Sequence, residues 1–309
     1  MWAVANTRSN KRRWLVTGGS GQVGQALRET SLPASVELFM PDRNLLDLSD
    51  LSGLGTLIAK ENISAIINCA AYTVVDKAET ETELANKINA EAAGILAKAA
   101  ASKNIPMVHV STDYVFSGNL SGRAYLEDDT VDPQNIYGRS KLAGEQAVEK
   151  SGARAVILRT AWVVSPFGNN FVKTMLRLGR EKENLSVVGD QIGNPTSAHD
   201  IASALVGIMD LLETEDNAST GIYHFVNSGQ ASWYDLAARV FERASYHGQP
   251  APNLGKIATA EYPTPAKRPA NSMLDTNKLR QRYDMNIRPW QDAIDEIVDR
   301  LCTEKGSGI

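Results

Sequence analysis

Cysteine is nearly absent from this 309-residue chain. Cys69 and Cys302 show no metal-binding or redox spacing, so they read as isolated thiols of a reducing compartment. His109, His199, His224 and His247 are scattered without a chelating pattern, and no metal is expected. His224, inside an apolar run, reads as a structural histidine with its bonds satisfied. Positive charge is not in excess either. A net charge of −4 offers no basic field for nucleic acid or an anionic membrane, so any phosphate recognition must be local. No apolar run is long enough to span a bilayer. Met1 to Arg13 carry basic residues with no apolar stretch behind them and read as a loose tail, not an export signal. A cytoplasmic protein is expected. Its hydrophobic fraction of 43% and charged fraction of 22% are those of an ordinary globular chain. Its length suits one large domain or two closely joined ones.

What the chain does have is strand-like apolar runs alternating with helical stripes. Trp14 to Thr17 run into Gly18-Gly19-Ser20-Gly21-Gln22-Val23-Gly24, after which Val23, Ala26 and Leu27 begin a helical stripe. In that context Gly18 permits a tight turn, Gly21 a close approach to a pyrophosphate, and Gly24 close packing of helix on strand. The helix then offers its first N–H groups to phosphate charge. A plain glycine-rich turn is the alternative. Val36 to Phe39 reads as a second strand running out into Met40-Pro41, with Arg43 placed to meet a ribose 2′-phosphate or to stay a solvated loop charge. Asp47 and Leu48 would lie under an adenine. Leu51 to Lys60 reads as helix, Ala65 to Asn68 as a buried strand opening into small residues, and Glu83 to Ser102 as one alanine-rich helix. Met107 to Val110 and Ala155 to Arg159 are further strands. This alternation predicts a parallel sheet covered on both faces.

Tyr137 is the one tyrosine followed four residues later by a lysine, Lys141. On a helix the two share a face, where an ammonium would pull the phenol below its usual pKa of about 10 and suit it to proton transfer. Thr112, at a strand's carboxyl end, is placed to hydrogen-bond a substrate carbonyl or that phenol. Turn chemistry is the commoner role for such a hydroxyl.

The stretches TGGSGQVG from Thr17, NCAAYTVVDKAE from Asn68, STDYVFSG from Ser111 and NIYGRSKLAGE from Asn135 occur in that order. They are followed by RTAWV from Arg159, GNNFVKTMLRL from Gly168, GDQIGNPT from Gly189 and YPTPAKRPANSML from Tyr262. Taken together, the chain resembles the extended short-chain dehydrogenase/reductases and, within them, the dTDP-4-dehydrorhamnose reductase family, from about Leu15 to about Leu301. The resemblance implies an α/β fold: a Rossmann-type doubly wound parallel sheet with a smaller α/β C-terminal substrate domain. The dinucleotide-binding domain would span 12–165 with a return of about 197–228, and the substrate-binding domain 166–196 and 229–309.

It also implies roles. Tyr137 would be the proton donor, Lys141 the lysine that binds the nicotinamide ribose and lowers the phenol's pKa, and Thr112 the hydroxyl completing the set. Gly18, Gly21, Gln22, Val23 and Gly24 would hold the pyrophosphate, Arg43 the 2′-phosphate, Asp47 and Leu48 the adenine. Ala71, Tyr72 and Thr73 would flank the nicotinamide, with Tyr137 and Lys141. Thr112, Asp113, Trp162, Asn170 and Arg268 would meet the substrate, a nucleotide sugar. NADPH is implied, with NADH as an alternative that Met40 disfavours, because NADH-using members can carry aspartate there. Some members bridge two subunits through Mg²⁺, held partly by a carboxylate after a Pro-Thr pair. Here Pro195-Thr196 leads to His199, a poor magnesium ligand, and that metal is not carried over. The implied reaction is reduction of a C4 keto group to give dTDP-L-rhamnose for cell-surface polysaccharide, by a monomer or homodimer. Another nucleotide-sugar reductase or epimerase, or a regulatory subunit like the methionine adenosyltransferase β subunit, are the rivals.

In the second half, Phe171 to Arg180 is predicted as a helix with Phe171, Met175 and Leu178 inward, and His199 to Leu212 as another. Gly221 to Val226 should return to the main sheet. Ser232 is an expected N-cap, with Asp235 closing the box. Leu254 to Asn271, carrying Pro263, Pro265 and Pro269, is expected to lack regular structure and to serve as a binding loop. Trp290 to Leu301 reads as an amphipathic helix packed on the smaller domain.

Overall fold

The fold begins from β1 (Arg12–Thr17), whose residues alternate between two cores: Trp14 and Val16 face one, Leu15 the other. A strand buried on both faces needs helices on both, and the chain supplies them. The computed structural model describes residues 11–303. After β1 come α1 (Gln22–Glu29), β2 (Val36–Phe39), α2 (Leu54–Lys60), β3 (Ala65–Asn68), α3 (Val75–Ala78) and α4 (Thr82–Asn86). A π-helical turn over Lys87–Glu91 joins α4 to α5 (Ala92–Lys103), which is followed by β4 (Met107–Thr112), α6 (Ile136–Lys150), β5 (Ala155–Thr160) and β6 (Val163–Val164). Then follow α7 (Phe171–Glu181), β7 (Asn184–Val188), β8 (Ile192–Gly193), β9 (Thr196–Ser197), α8 (Ala198–Thr214) and β10 (Gly221–His224). The chain closes with β11 (Ala231–Ser232), α9 (Trp233–Ser245), β12 (Asn253–Ile257), α10 (Asn277–Tyr283) and α11 (Trp290–Thr303).

Six strands make one parallel sheet in the order β10-β5-β4-β3-β1-β2. The chain leaves β1 toward β2 and then crosses back to β3 on the other side, so the crevice between β1 and β3 is the switch point where such sheets bind ligands. α1 and α8 cover one face, α2 and α5 the other. A separate core joins α7, α9 and α11 around Leu236, Val240, Ile294 and Val298.

The structure corrects several sequence expectations. The first strand starts at Arg12, two residues before the apolar run, because Arg12 and Arg13 find partners in Glu213, Glu37 and Glu61. The rest of the expected tail, Met1–Asn10, lies outside the described residues. The Glu83–Ser102 helix is interrupted by the π turn, which turns Asn89 fully inward. On α7 the buried face is Val172, Met175, Leu176 and Gly179, while Phe171 and Leu178 lie at its margin. Residues 253–257 form β12, parallel to β7, inside the stretch expected to be irregular. His224 is buried with Nδ1 3.2 Å from Asp275 O, but its Nε2 has no partner among the described residues, so it is only half satisfied.

Candidate active site

At the carboxyl end of β1, Gly18 takes φ +73°, a left-handed conformation that favours glycine. A Cβ on Gly24 would stand 2.3 Å from Gly18 O, so α1 packs on the turn only because Gly24 has no side chain. No side chain caps the N-terminus of α1, which aims its first N–H groups at the crevice. The cradle is narrow, backbone-lined and dipole-polarised, and fits a dinucleotide pyrophosphate. Gln22 Oε1 accepts from Ser165 Oγ (2.8 Å) and Asn170 Nδ2 (3.0 Å), which ties the turn to the start of α7. Asn170 also caps α7 and donates to Ser165 O (2.8 Å), so its amide is committed to bracing this junction.

At the far end of the crevice Arg43 and Asp47 are exposed and Leu48 is buried. Asp47 Oδ1 accepts from Ser49 N–H at 2.9 Å. A second guanidinium, Arg28, lies beside Gly19 and Met40, its Nη2 3.3 Å from where a Gly19 Cβ would be. Sequence reasoning missed it. Its signal was a basic residue in the last turn of the helix that follows the glycines.

After β3, Ala71 and Tyr72 are half-buried and Thr73 is exposed. Tyr72 N–H donates to Asn89 Oδ1 (2.8 Å), and Asn89 Nδ2 returns a bond to Tyr72 O (3.2 Å) and another to Ser140 Oγ (2.9 Å). The π turn thus fixes the strand exit against α6.

Helix α6 carries Tyr137 and Lys141 and begins at Asn135, whose side chain accepts from Gly138 N–H at 2.8 Å. A Cβ on Gly138 would lie 2.2 Å from Tyr114 O, so the helix can reach the 113–115 turn only with glycine beside the tyrosine. That approach brings Tyr137 to Thr112. Thr112 Oγ1 gives its one proton to Asp113 Oδ1 (3.0 Å) and accepts from Tyr114 N–H (3.2 Å). Asp113 is buried and its Oδ2 has no partner among the described residues. Burial pushes its pKa up from 3.8 to about 6, against hydrogen bonds from Ser272 and Thr112.

Burial outweighs the lowering of the phenol that Lys141 is expected to give. Burial pushes the Tyr137 phenol up to about 12, partly countered by Thr112 and reinforced by the Asp113 charge. Lys141 Nζ instead donates to Val110 O at 2.7 Å and stands 3.4 Å from His109 Nε2. Burial lowers the ammonium itself to about 8, with Glu145 and Cys69 acting the other way. Glu145, one turn along α6, forms a buried bidentate pair with Arg159 Nε (2.9 Å) and Nη2 (2.7 Å).

On the side toward the second core, Trp162 adopts φ +47° and stacks on Trp233 with centroids 3.6 Å apart and planes 8° from parallel. Gly193 also lies against this indole, where a Cβ would stand 2.6 Å from Cε2. Trp233 was not singled out from sequence. Arg268 Nη2 pairs with Asp76 Oδ2 at 2.8 Å while its Nη1 is buried without a partner among the described residues. His199 pairs with Glu29 (3.0 Å), which also meets Arg300 (2.6 Å). Among the described residues no three His, Cys, Asp or Glu side chains gather as a metal site requires.

The model of the RmlD substrate binding domain family matches residues 12–303. A dTDP-4-dehydrorhamnose reductase of Aggregatibacter actinomycetemcomitans is 41% identical over 92% of this chain and 98% of its own length. The crystal structure of a dTDP-4-dehydrorhamnose reductase from Clostridium acetobutylicum superposes with a TM-score of 0.87 at 36% identity, covering 94% of this chain and 99% of that one. That of the Bacillus anthracis dTDP-4-dehydrorhamnose reductase in complex with NADP gives 0.86 at 38% identity, with the same coverage. A family model spanning nearly the whole chain and a reductase relative of this identity and coverage make the chain a member of the dTDP-4-dehydrorhamnose reductase family.

Proposed function

We propose that the chain reduces the C4 keto group of dTDP-4-dehydro-6-deoxy-L-mannose (dTDP-4-dehydro-β-L-rhamnose) to dTDP-L-rhamnose, using NADPH. The observation that carries this reading is the convergence of Tyr137, Thr112 and Lys141 at the carboxyl end of β4, in the sheet whose switch point holds the glycine cradle. The sheet and its helices (12–165 and about 197–228) hold the dinucleotide, and 166–196 with 229–309 hold the sugar nucleotide. Arg28 and Arg43 favour a 2′-phosphate, and Met40 offers no carboxylate for NADH. Asp47, Leu48, Ala71, Tyr72 and Thr73 line the cofactor, while Asp113, Trp162 and Arg268 line the substrate. Asn170 acts through Gln22.

When bound, NADPH supplies the hydride. As negative charge grows on the keto oxygen, Tyr137 Oη gives it a proton. An alkoxide is more basic than any phenolate, so the transfer is favourable even from a phenol near 12. Lys141, charged below about pH 8, stabilises the phenolate left behind. Its ammonium should therefore limit turnover on the alkaline side. The chain works in the cytoplasm, as a monomer or homodimer, feeding rhamnose to surface polysaccharide.

The test combines the purified chain with that keto sugar nucleotide and NADPH, follows NADPH absorbance and identifies the product sugar. Tyr137→Phe should lose about 10²-fold or more in kcat while still binding NADP; retained turnover would remove Tyr137 from the mechanism. Sugar interconversion without NADPH consumption would make the chain an epimerase. Cofactor binding without any turnover would make it a regulatory subunit.

A further inference from the structure

Beneath the Tyr137–Lys141 face lies a file of buried polar groups to which the reaction above gives no role. His109 is wholly buried on β4, with Nε2 3.4 Å from Lys141 Nζ and Nδ1 2.9 Å from the side-chain amide of Asn68 on β3. Asn68 in turn lies 2.6 Å from Thr17 Oγ1 on β1. Thr17 and Asn68 are register partners, as are Asn68 and His109. The file therefore runs straight across three neighbouring strands, from the residue before the glycine turn to the lysine.

Donor counting fixes its direction. An ammonium has three protons and no lone pair, so His109 Nε2 must accept from Lys141. A neutral imidazole accepting at Nε2 carries its proton on Nδ1, which then needs an acceptor. The amide oxygen and nitrogen of Asn68 exchange by a half-turn of the side chain. The structure sets Thr17 Oγ1 to donate to Asn68 Oδ1 and Asn68 Nδ2 toward His109 Nδ1; with the amide turned over, its oxygen accepts from His109 Nδ1–H and its Nδ2 donates to Thr17 Oγ1. The opposite orientation sets an Nε2–H against an ammonium. Burial and the Lys141 charge hold His109 well below its usual pKa, which keeps it neutral and able to accept.

We propose that His109 is a positioning residue for Lys141: as the Nδ1–H tautomer it accepts one ammonium proton and, through Asn68 and Thr17, ties the lysine to the strand end that opens into the cofactor cradle. Val110 O takes a second proton at 2.7 Å. With two protons fixed on the sheet side, the third is directed away from it. The other ionisable groups facing this ammonium are Glu145 on its own helix and Cys69 after β3. The inference deepens the reductase reading and rests on it.

Nuclear magnetic resonance of ¹⁵N-histidine-labelled full-length protein reads the tautomer without turnover. His109 should be protonated at Nδ1 with a bare, hydrogen-bonded Nε2 from about pH 6 to about pH 9. An Nε2–H tautomer or an imidazolium in that range would overturn the proposal. Two variants separate positioning from packing. His109→Asn keeps a group for Asn68 but offers nothing to Lys141, whereas His109→Gln places an acceptor near the original Nε2. The Asn variant should lose about tenfold in kcat, with its alkaline limb moved to lower pH and KM for NADPH changed less; the Gln variant should recover most of that loss. If both lose thermal stability alike and leave the alkaline limb in place, His109 only fills the core and the proposal fails. Wild-type protein inert toward the keto sugar nucleotide would sink the reductase reading, and the tautomer would then decide this inference by itself.

Discussion

Asp113 carries the least comfortable charge near the site. Its carboxylate is buried, one oxygen has no partner among the described residues, and its pKa rises from 3.8 to about 6. The folded chain therefore holds this proton more tightly than the unfolded chain does. The group's contribution to stability is full below about pH 4 and is lost as pH rises through about 6. Asp113→Asn should consequently gain stability over wild type as pH increases, by up to about 3 kcal/mol at about pH 8, and the gain should shrink toward about pH 4. Denaturant melts at the two pH values check it; a gain independent of pH would contradict the burial argument. The same residue scale shows the reach of sequence reading. Tyr137, Lys141 and Thr112 were legible because a four-residue spacing and a strand end are local patterns. Asn89, His109 and Trp233 were not, because their meaning comes from neighbours dozens of residues away. The phenol's rise to about 12 was illegible for a related reason: spacing predicts proximity to an ammonium, whereas depth of burial decides the sign.

Among the elements, strands of the main sheet were readable because burial on both faces demands unbroken apolar runs. β12 was not. Its residues Asn253–Ile257 are mostly exposed, and it exists by pairing with β7, nearly seventy residues earlier. The π turn at Lys87–Glu91 was hidden inside an alanine-rich stretch whose composition says only helix. Capping was legible. Ser232 Oγ accepts from Asp235 N–H at 3.1 Å, and Asp235 Oδ2 accepts from Ser232 N–H at 2.9 Å, the reciprocal arrangement expected at α9. Ser232→Ala removes one half of it and should lower stability by about 1 kcal/mol, read as a lower urea midpoint with an unchanged slope.

For the molecule as a whole, the segment between β12 and α10 ties the second core to the cofactor half. Asp76, in α3, accepts from Ala266 N–H at 3.1 Å and from Arg268 Nη2 at 2.8 Å, and Asn135 Nδ2 donates to Lys267 O at 2.9 Å. The N-cap of the helix that carries Tyr137 thus also holds the loop facing it. Asp76→Asn weakens that latch at a site partly open to water, so its effect is below that of a buried pair. We expect KM for the sugar nucleotide to rise about threefold to tenfold with KM for NADPH nearly unchanged. Equal effects on both would show that Asp76 supports the sheet and not the loop. The stacked indoles of Trp162 and Trp233 join the end of the parallel sheet to the first turn of α9. Two chromophores held face to face couple their excited states. The chain therefore contains its own optical gauge: an exciton couplet in circular dichroism that should persist while the two halves stay docked and vanish once they separate.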